Sequence, residues 1–122
     1  MSLVRLTLQE SQPLTPLDLH YESFLLDREA PRCTPKTLTH YTYTLGTFVG
    51  WLQRCGVNSP EEITAHHIRA YLVELQRRGL KDTTQHAHAR GIKTWLRWLV
   101  NEGELHESPM SRVSMPRLDK RI

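Results

Sequence analysis

Long hydrophobic runs are missing from this chain. No apolar stretch approaches the roughly 20 residues needed to cross a bilayer, so a membrane-spanning role is not expected. Cysteine is scarce as well. Cys33 and Cys55 lack metal-ligand spacing and suitable partners, which argues against a zinc module or a disulfide scaffold. Both are expected to be reduced thiols of an intracellular protein, one packed and one near the surface. The amino terminus, MSLVRLTLQESQP, has no basic region leading into a long apolar stretch and does not read as a secretory signal. A glycine-rich phosphate loop is absent, and no Ser or Cys is paired with a base in a recognisable frame. His86 and His88 stand two apart, a spacing that sends them to different faces of a helix instead of onto one metal. No metal, cofactor or catalytic constellation is therefore expected.

Acidic residues are missing from two long stretches, Thr34 to Cys55 and Thr83 to Asn101. The net charge of +3 on 122 residues says little, but its distribution says more. Residues 14–30 carry Asp18, Glu22, Asp27 and Glu29 against Arg28, a net of −3. Residues 81–101 carry Lys81, Arg90, Lys93 and Arg97 against Asp82, and residues 108–122 carry Arg112, Arg117, Lys120 and Arg121 against Asp119, each a net of +3. Such polarity favours a polyanionic partner on one side.

What is present is helical periodicity. A chain of this length is ordinarily one domain with a single core. Residues 1–13 read as a flexible arm. Thr15-Pro16-Leu17-Asp18 is a cap, a first-turn proline and a carboxylate at capping-box spacing, with Leu14 and Leu19 at staple spacing. Leu17, Tyr21, Phe24 and Leu25 form that helix's buried stripe, and Pro31 marks its exit. Thr34-Pro35 opens a second helix to about Arg54, with Leu38, Tyr41, Leu45, Phe48 and Leu52 inward. Gly56-Val57 is expected to close it, Val57 folding back on Leu52. Thr64 caps a third helix, stapled by Ile63 and Ile68, with Ile68, Tyr71, Leu72 and Leu75 inward. Gly79-Leu80 ends it, Leu80 reaching back to Leu75. Asp82 with Gln85 reads as the capping box of a fourth helix. Glu104 to Pro109 is read as room for one more short turn. Four helices, short connections and no strand pattern predict an all-α fold, a compact bundle over residues 14–107. The basic, proline-containing segment 108–122 reads as a linker.

The stretch from Leu80 to Gly103 organises this reading. Gln85, Ala89, Ile92, Leu96 and Leu99, flanked by Trp95, recur at three- and four-residue spacing and must pack inward. Opposite them lie Thr83, Ala87, Arg90, Gly91, Thr94 and Arg97, with His86 and Lys93 at the margin and Trp98 also outward. A cationic face whose small residues permit close approach suits a nucleic-acid groove. The simpler alternative is a solvated helix rich in Arg and Lys. On the second helix the outer face carries Lys36, Thr37, His40, Tyr43 and Thr47.

The ordered set Thr37, Tyr41, Leu45 and Phe48, then Ile63, Ile68, Tyr71 and Leu72, then Thr84, Ile92, Lys93, Leu99 and Gly103, followed by Pro109 and Pro116, resembles the amino-terminal core-binding (SAM-like) domain of tyrosine recombinases, the phage-integrase family. The match spans about residues 14–117. It departs at Ala89, Gly91 and Trp95-Leu96, which bear on how the fourth helix packs. The resemblance implies one half of a clamp around double-stranded DNA. Its second and fourth helices would lie against the major groove, and the catalytic domain of the same full-length protein would supply the cleavage chemistry. It further implies other recombinase protomers as partners and a cytoplasmic, nucleoid-associated setting.

By position it places Lys36, Thr37, His40 and Tyr43 at DNA from the second helix. Arg78, Thr83, Thr84, Ala87, Arg90, Lys93, Thr94 and Arg97 would join them from around the fourth. Threonines near helix starts suit phosphates. Arg90 is the candidate for a guanine edge, and Lys93 and Arg97 for phosphate. Simpler readings stand beside these. Thr83 and Thr84 are also ordinary first-turn residues, His40, His86 and Tyr43 also solvated surface, and Arg78 also a partner for the end of its own helix. His66-His67-Ile68-Arg69 contains H-x-x-R, a spacing that family uses catalytically in its other domain. Here it opens a helix without the nucleophilic tyrosine in context and is read as coincidence, so the chain is not expected to cleave DNA. The alternative function is a helical protein–protein interaction module of the same fold, using Tyr43 and Trp51.

Overall fold

The computed structural model describes residues 14–31 and 33–118; the expected arm (1–13) and the end of the expected linker (119–122) lie outside the described residues. The chain is all-α: four helices and two 3-10 turns, with no strand among the described residues. The helices are α1 (Pro16–Glu29), α2 (Pro35–Arg54), α3 (Ala65–Arg77) and α4 (Asp82–Asn101), with 3-10 turns at Pro60–Glu62 and Pro109–Arg112. Two units divide it, Met1–Glu62 and Ile63–Ile122.

In the first unit α1 and α2 form an antiparallel hairpin. The capping box at Thr15 is built as its sequence requires: Thr15 Oγ1 accepts from the Asp18 N–H at 3.2 Å, and Asp18 Oδ2 accepts from the Thr15 N–H at 3.1 Å. Two further bonds fix that end. The Leu17 N–H, one of the four orphan donors of a helix start, finds the Asn58 carbonyl at 2.9 Å, and Gln53 Nε2 donates to Thr15 Oγ1 at 3.1 Å. Midway, the Tyr21 hydroxyl donates to the Thr42 carbonyl at 2.7 Å. Further along, the Phe24 and Tyr41 rings meet edge to face at 5.3 Å, with the Arg28 guanidinium 5.2 Å from the Phe24 centroid.

Leu17, Tyr21, Phe24 and Leu25 are buried, as are Leu45, Phe48 and Leu52, each worth about 1.5–3 kcal/mol of apolar transfer. Leu38 and Tyr41 are only half-buried, and Leu19, expected in a staple, is exposed. Asp18 and Glu22 are buried, so half of the acidic charge assigned to this region from the sequence is not displayed at the surface. Both thiols are free, Cys33 half-buried and Cys55 exposed.

In the second unit Thr64 and His67 cap α3 reciprocally. Thr64 Oγ1 accepts from the His67 N–H at 3.1 Å, and His67 Nδ1 accepts from the Thr64 N–H at 3.1 Å. Ile63 and Ile68 are both buried at staple positions. The α4 start differs from expectation. Lys81 is the cap residue and makes no side-chain bond, while Asp82 is already the first helical residue. Its carboxylate still suits the positive end of the helix, and Gln85 turns back to give its Nε2–H to the Leu80 carbonyl at 2.8 Å.

Three helices end alike. Gly56, Gly79 and Gly103 take φ of +88°, +79° and +82°, which bulkier residues resist. The next residues, Val57, Leu80 and Glu104, donate back to the carbonyls of Leu52, Leu75 and Leu99. Beyond Gly103 the extra turn falls at Pro109–Arg112, where Met110 is buried and Arg69 Nη2 donates to the Arg112 carbonyl at 2.8 Å.

Candidate nucleic-acid interface

The candidate residues fall into one set on each unit. On α2, Lys36, Thr37, His40 and Tyr43 are all exposed, Tyr43 at 64%. The helix start orients the first pair: Thr34 Oγ1 takes the Thr37 N–H at 3.2 Å and gives its own proton to Thr37 Oγ1 at 2.9 Å. Further along, threonines bond to their own helix, Thr42 to the Leu38 carbonyl at 2.8 Å, Thr44 to His40 at 2.9 Å and Thr47 to Thr44 at 3.0 Å. Back-bonding of this kind is how a helix tolerates so many β-branched hydroxyls. It also engages their protons and leaves Lys36, Thr37, His40 and Tyr43 as the outward polar display.

On α4 the inward stripe is as expected: Gln85, Ala89, Ile92, Trp95, Leu96 and Leu99 are buried. Outward, Thr83, Arg90, Lys93 and Arg97 are exposed, while Thr84, Ala87 and Thr94 are half-buried at the edge of the face. The Thr94 hydroxyl donates to the Arg90 carbonyl at 3.0 Å. Arg90, Lys93 and Arg97 recur at three- and four-residue spacing, and none of them makes an ion pair among the described residues. Like charges so spaced cost an isolated helix a few tenths of a kcal/mol per pair. Only Asp82, at the far end, carries the opposite sign on this helix.

Three outward assignments change. Gly91 is buried, so its small size serves packing and not approach to a ligand. Trp98 is half-buried and is not an exposed indole. Arg78 lies exposed at the end of α3 with its Nε 3.0 Å from Glu74 Oε2, the local pairing that was its simpler reading.

The H-x-x-R segment is engaged structurally, since His67 caps α3 and Arg69 holds the Arg112 carbonyl. Sequence reasoning missed both roles, although Thr64-x-x-His67 has capping-box spacing and was legible on that ground. It also missed His88, which is buried with its ring centroid 6.4 Å from that of Tyr71. Among the described residues no group of three or more His, Cys, Asp or Glu could hold a metal ion, and no helix is long and apolar enough to cross a membrane.

Residues 21–107 match the family described as phage integrase, N-terminal SAM-like domain. The chain belongs to that family. Curated proteins similar to this SAM-like integrase domain include tyrosine recombinases XerC. That of Haemophilus influenzae (strain PittEE) is 25% identical over 109 residues, 89% of this chain and 36% of the relative. That of Bacillus pumilus is 30% identical over 86 residues, 70% and 28% respectively. The XerC of Chlorobaculum parvum is 29% identical over 108 residues, 83% and 32%. The SAM-like domain thus spans about a third of the length of the curated relatives it matches. No solved structure matches the chain significantly.

Proposed function

We propose that this chain is the DNA-binding module of a tyrosine recombinase, gripping duplex DNA through the major groove as half of a clamp in DNA integration or recombination. The observation that carries the reading is the outward face of α4: Arg90, Lys93 and Arg97, exposed, unpaired and free of acidic neighbours on their own turns. A cationic row costs its helix a little and repays it only beside a polyanion. In this reading Lys93 and Arg97 meet phosphates, Arg90 reaches a base edge, and Thr83 and Thr84 approach phosphate from the first turn. Lys36, Thr37, His40 and Tyr43 add the second contact from α2, with Ala87 and Thr94 at the margin and Arg78 exchanging Glu74 for phosphate. Cleavage belongs to a catalytic domain of the full-length protein, reached through the basic segment from residue 108, and other protomers share the DNA.

A fluorescence-anisotropy titration on duplex DNA at 50 and 200 mM salt tests this. Weak binding that falls with salt is expected. Arg90→Ala plus Lys93→Ala should weaken it and reduce the loss between the two salts by roughly tenfold, the effect of two phosphate-type contacts. Binding that ignores both salt and the double substitution would remove the DNA reading. A second reading, a helical protein-interaction module of this fold, draws on the exposure of Tyr43; association with a protein that survives nuclease treatment and is lost in Tyr43→Ala favours it.

A further inference from the structure

Beside the second half of α4 lies a hollow of about 370 Å³ that phosphate binding does not use. Val100 from α4, Met110 from the 3-10 turn, and Val113 and Met115 from the segment after it give it an apolar floor. Lys93 and Arg97 stand on one rim, a single helical turn apart, and Ser108 and Ser111 are the remaining polar lining. No carboxylate lines it.

The volume lies at the lower end of the ~300–1,000 Å³ typical of ligand pockets. Two methionines make a soft, adaptable surface of the kind used to accept varied apolar side chains.

Each half of this lining excludes a class of occupant. A phosphate backbone would satisfy the cations and leave the floor wet, whereas a wholly apolar ligand would fill the floor and leave two cations without counter-charge. We infer that the hollow docks a short acidic peptide segment of a protein partner, placing a leucine-like side chain on the methionine floor and carboxylates against Lys93 and Arg97. Charge complementarity selects this occupant. The rim has two cations, neither in an ion pair among the described residues, and no acid opposes a carboxylate on the approach. The inference goes beyond the DNA reading and is tested without DNA binding.

The full chain labelled with ¹³C at its methionine methyls reports the floor directly. The probe is a blocked hexapeptide with two leucines between glutamates, compared with a twin bearing lysines in place of the glutamates. The acidic peptide should move the Met110 and Met115 methyl signals saturably, and the lysine twin should not at equal concentration. Lys93→Gln plus Arg97→Gln should weaken the response at least tenfold while the variant's own methyl spectrum stays dispersed, showing an intact fold. Three results would overturn the inference: no response to the acidic peptide, an equal response to the lysine twin, or a response indifferent to the double substitution. A short duplex that moves the same two methyls as far would also overturn it, because the hollow would then take nucleic acid.

Discussion

A β-carbon at Gly46 would stand 2.9 Å from the Tyr21 hydroxyl oxygen, and that oxygen is held 2.7 Å from the Thr42 carbonyl by a buried ring with nowhere to retreat. Glycine here serves close approach, against the ~1 kcal/mol that alanine would otherwise return to a helix. Gly46→Ala is therefore expected to lower stability by about 1–2 kcal/mol. The same substitution in a Tyr21→Phe background, where the obstructing atom is gone, should be neutral or stabilising. Chemical denaturation of the four proteins of that cycle decides it, and an equal effect in both backgrounds would refute the contact. His67 offers a second case. Because its ring nitrogen accepts the Thr64 N–H, His67→Ala should cost ~1 kcal/mol and His67→Gln much less, since glutamine is the usual acceptor at that position. Thermal melts that rank the two variants alike would count against it. Gly46 left no trace in the sequence, since nothing local announces that a tyrosine from another helix will lie across it.

At the scale of elements, what was legible was what is decided locally. The caps at Thr15, Thr34 and Thr64, the stops at Gly56 and Gly79, and the buried stripes of α1, α3 and α4 all follow from interactions within four or five residues. Expectation failed where a partner distant in sequence chooses. Leu19 has staple spacing yet points to solvent, Gly91 and His88 are buried, and Gln85 spends its amide on the Leu80 carbonyl instead of closing a box with Asp82. The turn at Pro109–Arg112 is the clearest instance. Its composition is that of a linker, but Met110 is buried and Arg69, 43 residues earlier, holds its last carbonyl. Arg69→Ala should accelerate amide exchange at Ser111 and Val113, whose N–H groups close the turn, while leaving the α3 and α4 amides protected. Unchanged exchange in the turn would mean that Met110 alone anchors it.

For the molecule as a whole, family membership was legible in an ordered set of residues and not in any one motif, and residues 21–107 carry it. The candidate interface was legible only in part. Periodicity separates the exposed Arg90, Lys93 and Arg97 from the buried Ile92 and Leu96, but it does not say how deeply Thr84, Ala87 and Thr94 sit at the boundary, which depends on neighbouring side chains. The central claim is that this exposed row binds duplex DNA by displacing counterions. Its most direct measure is the slope of log K against log salt for the wild-type chain and for Arg90→Ala, Lys93→Ala and Arg97→Ala combined. Three lost phosphate-type contacts should flatten the slope by about 2.7, from ~0.9 per contact. Equal slopes at equal affinity would contradict the claim.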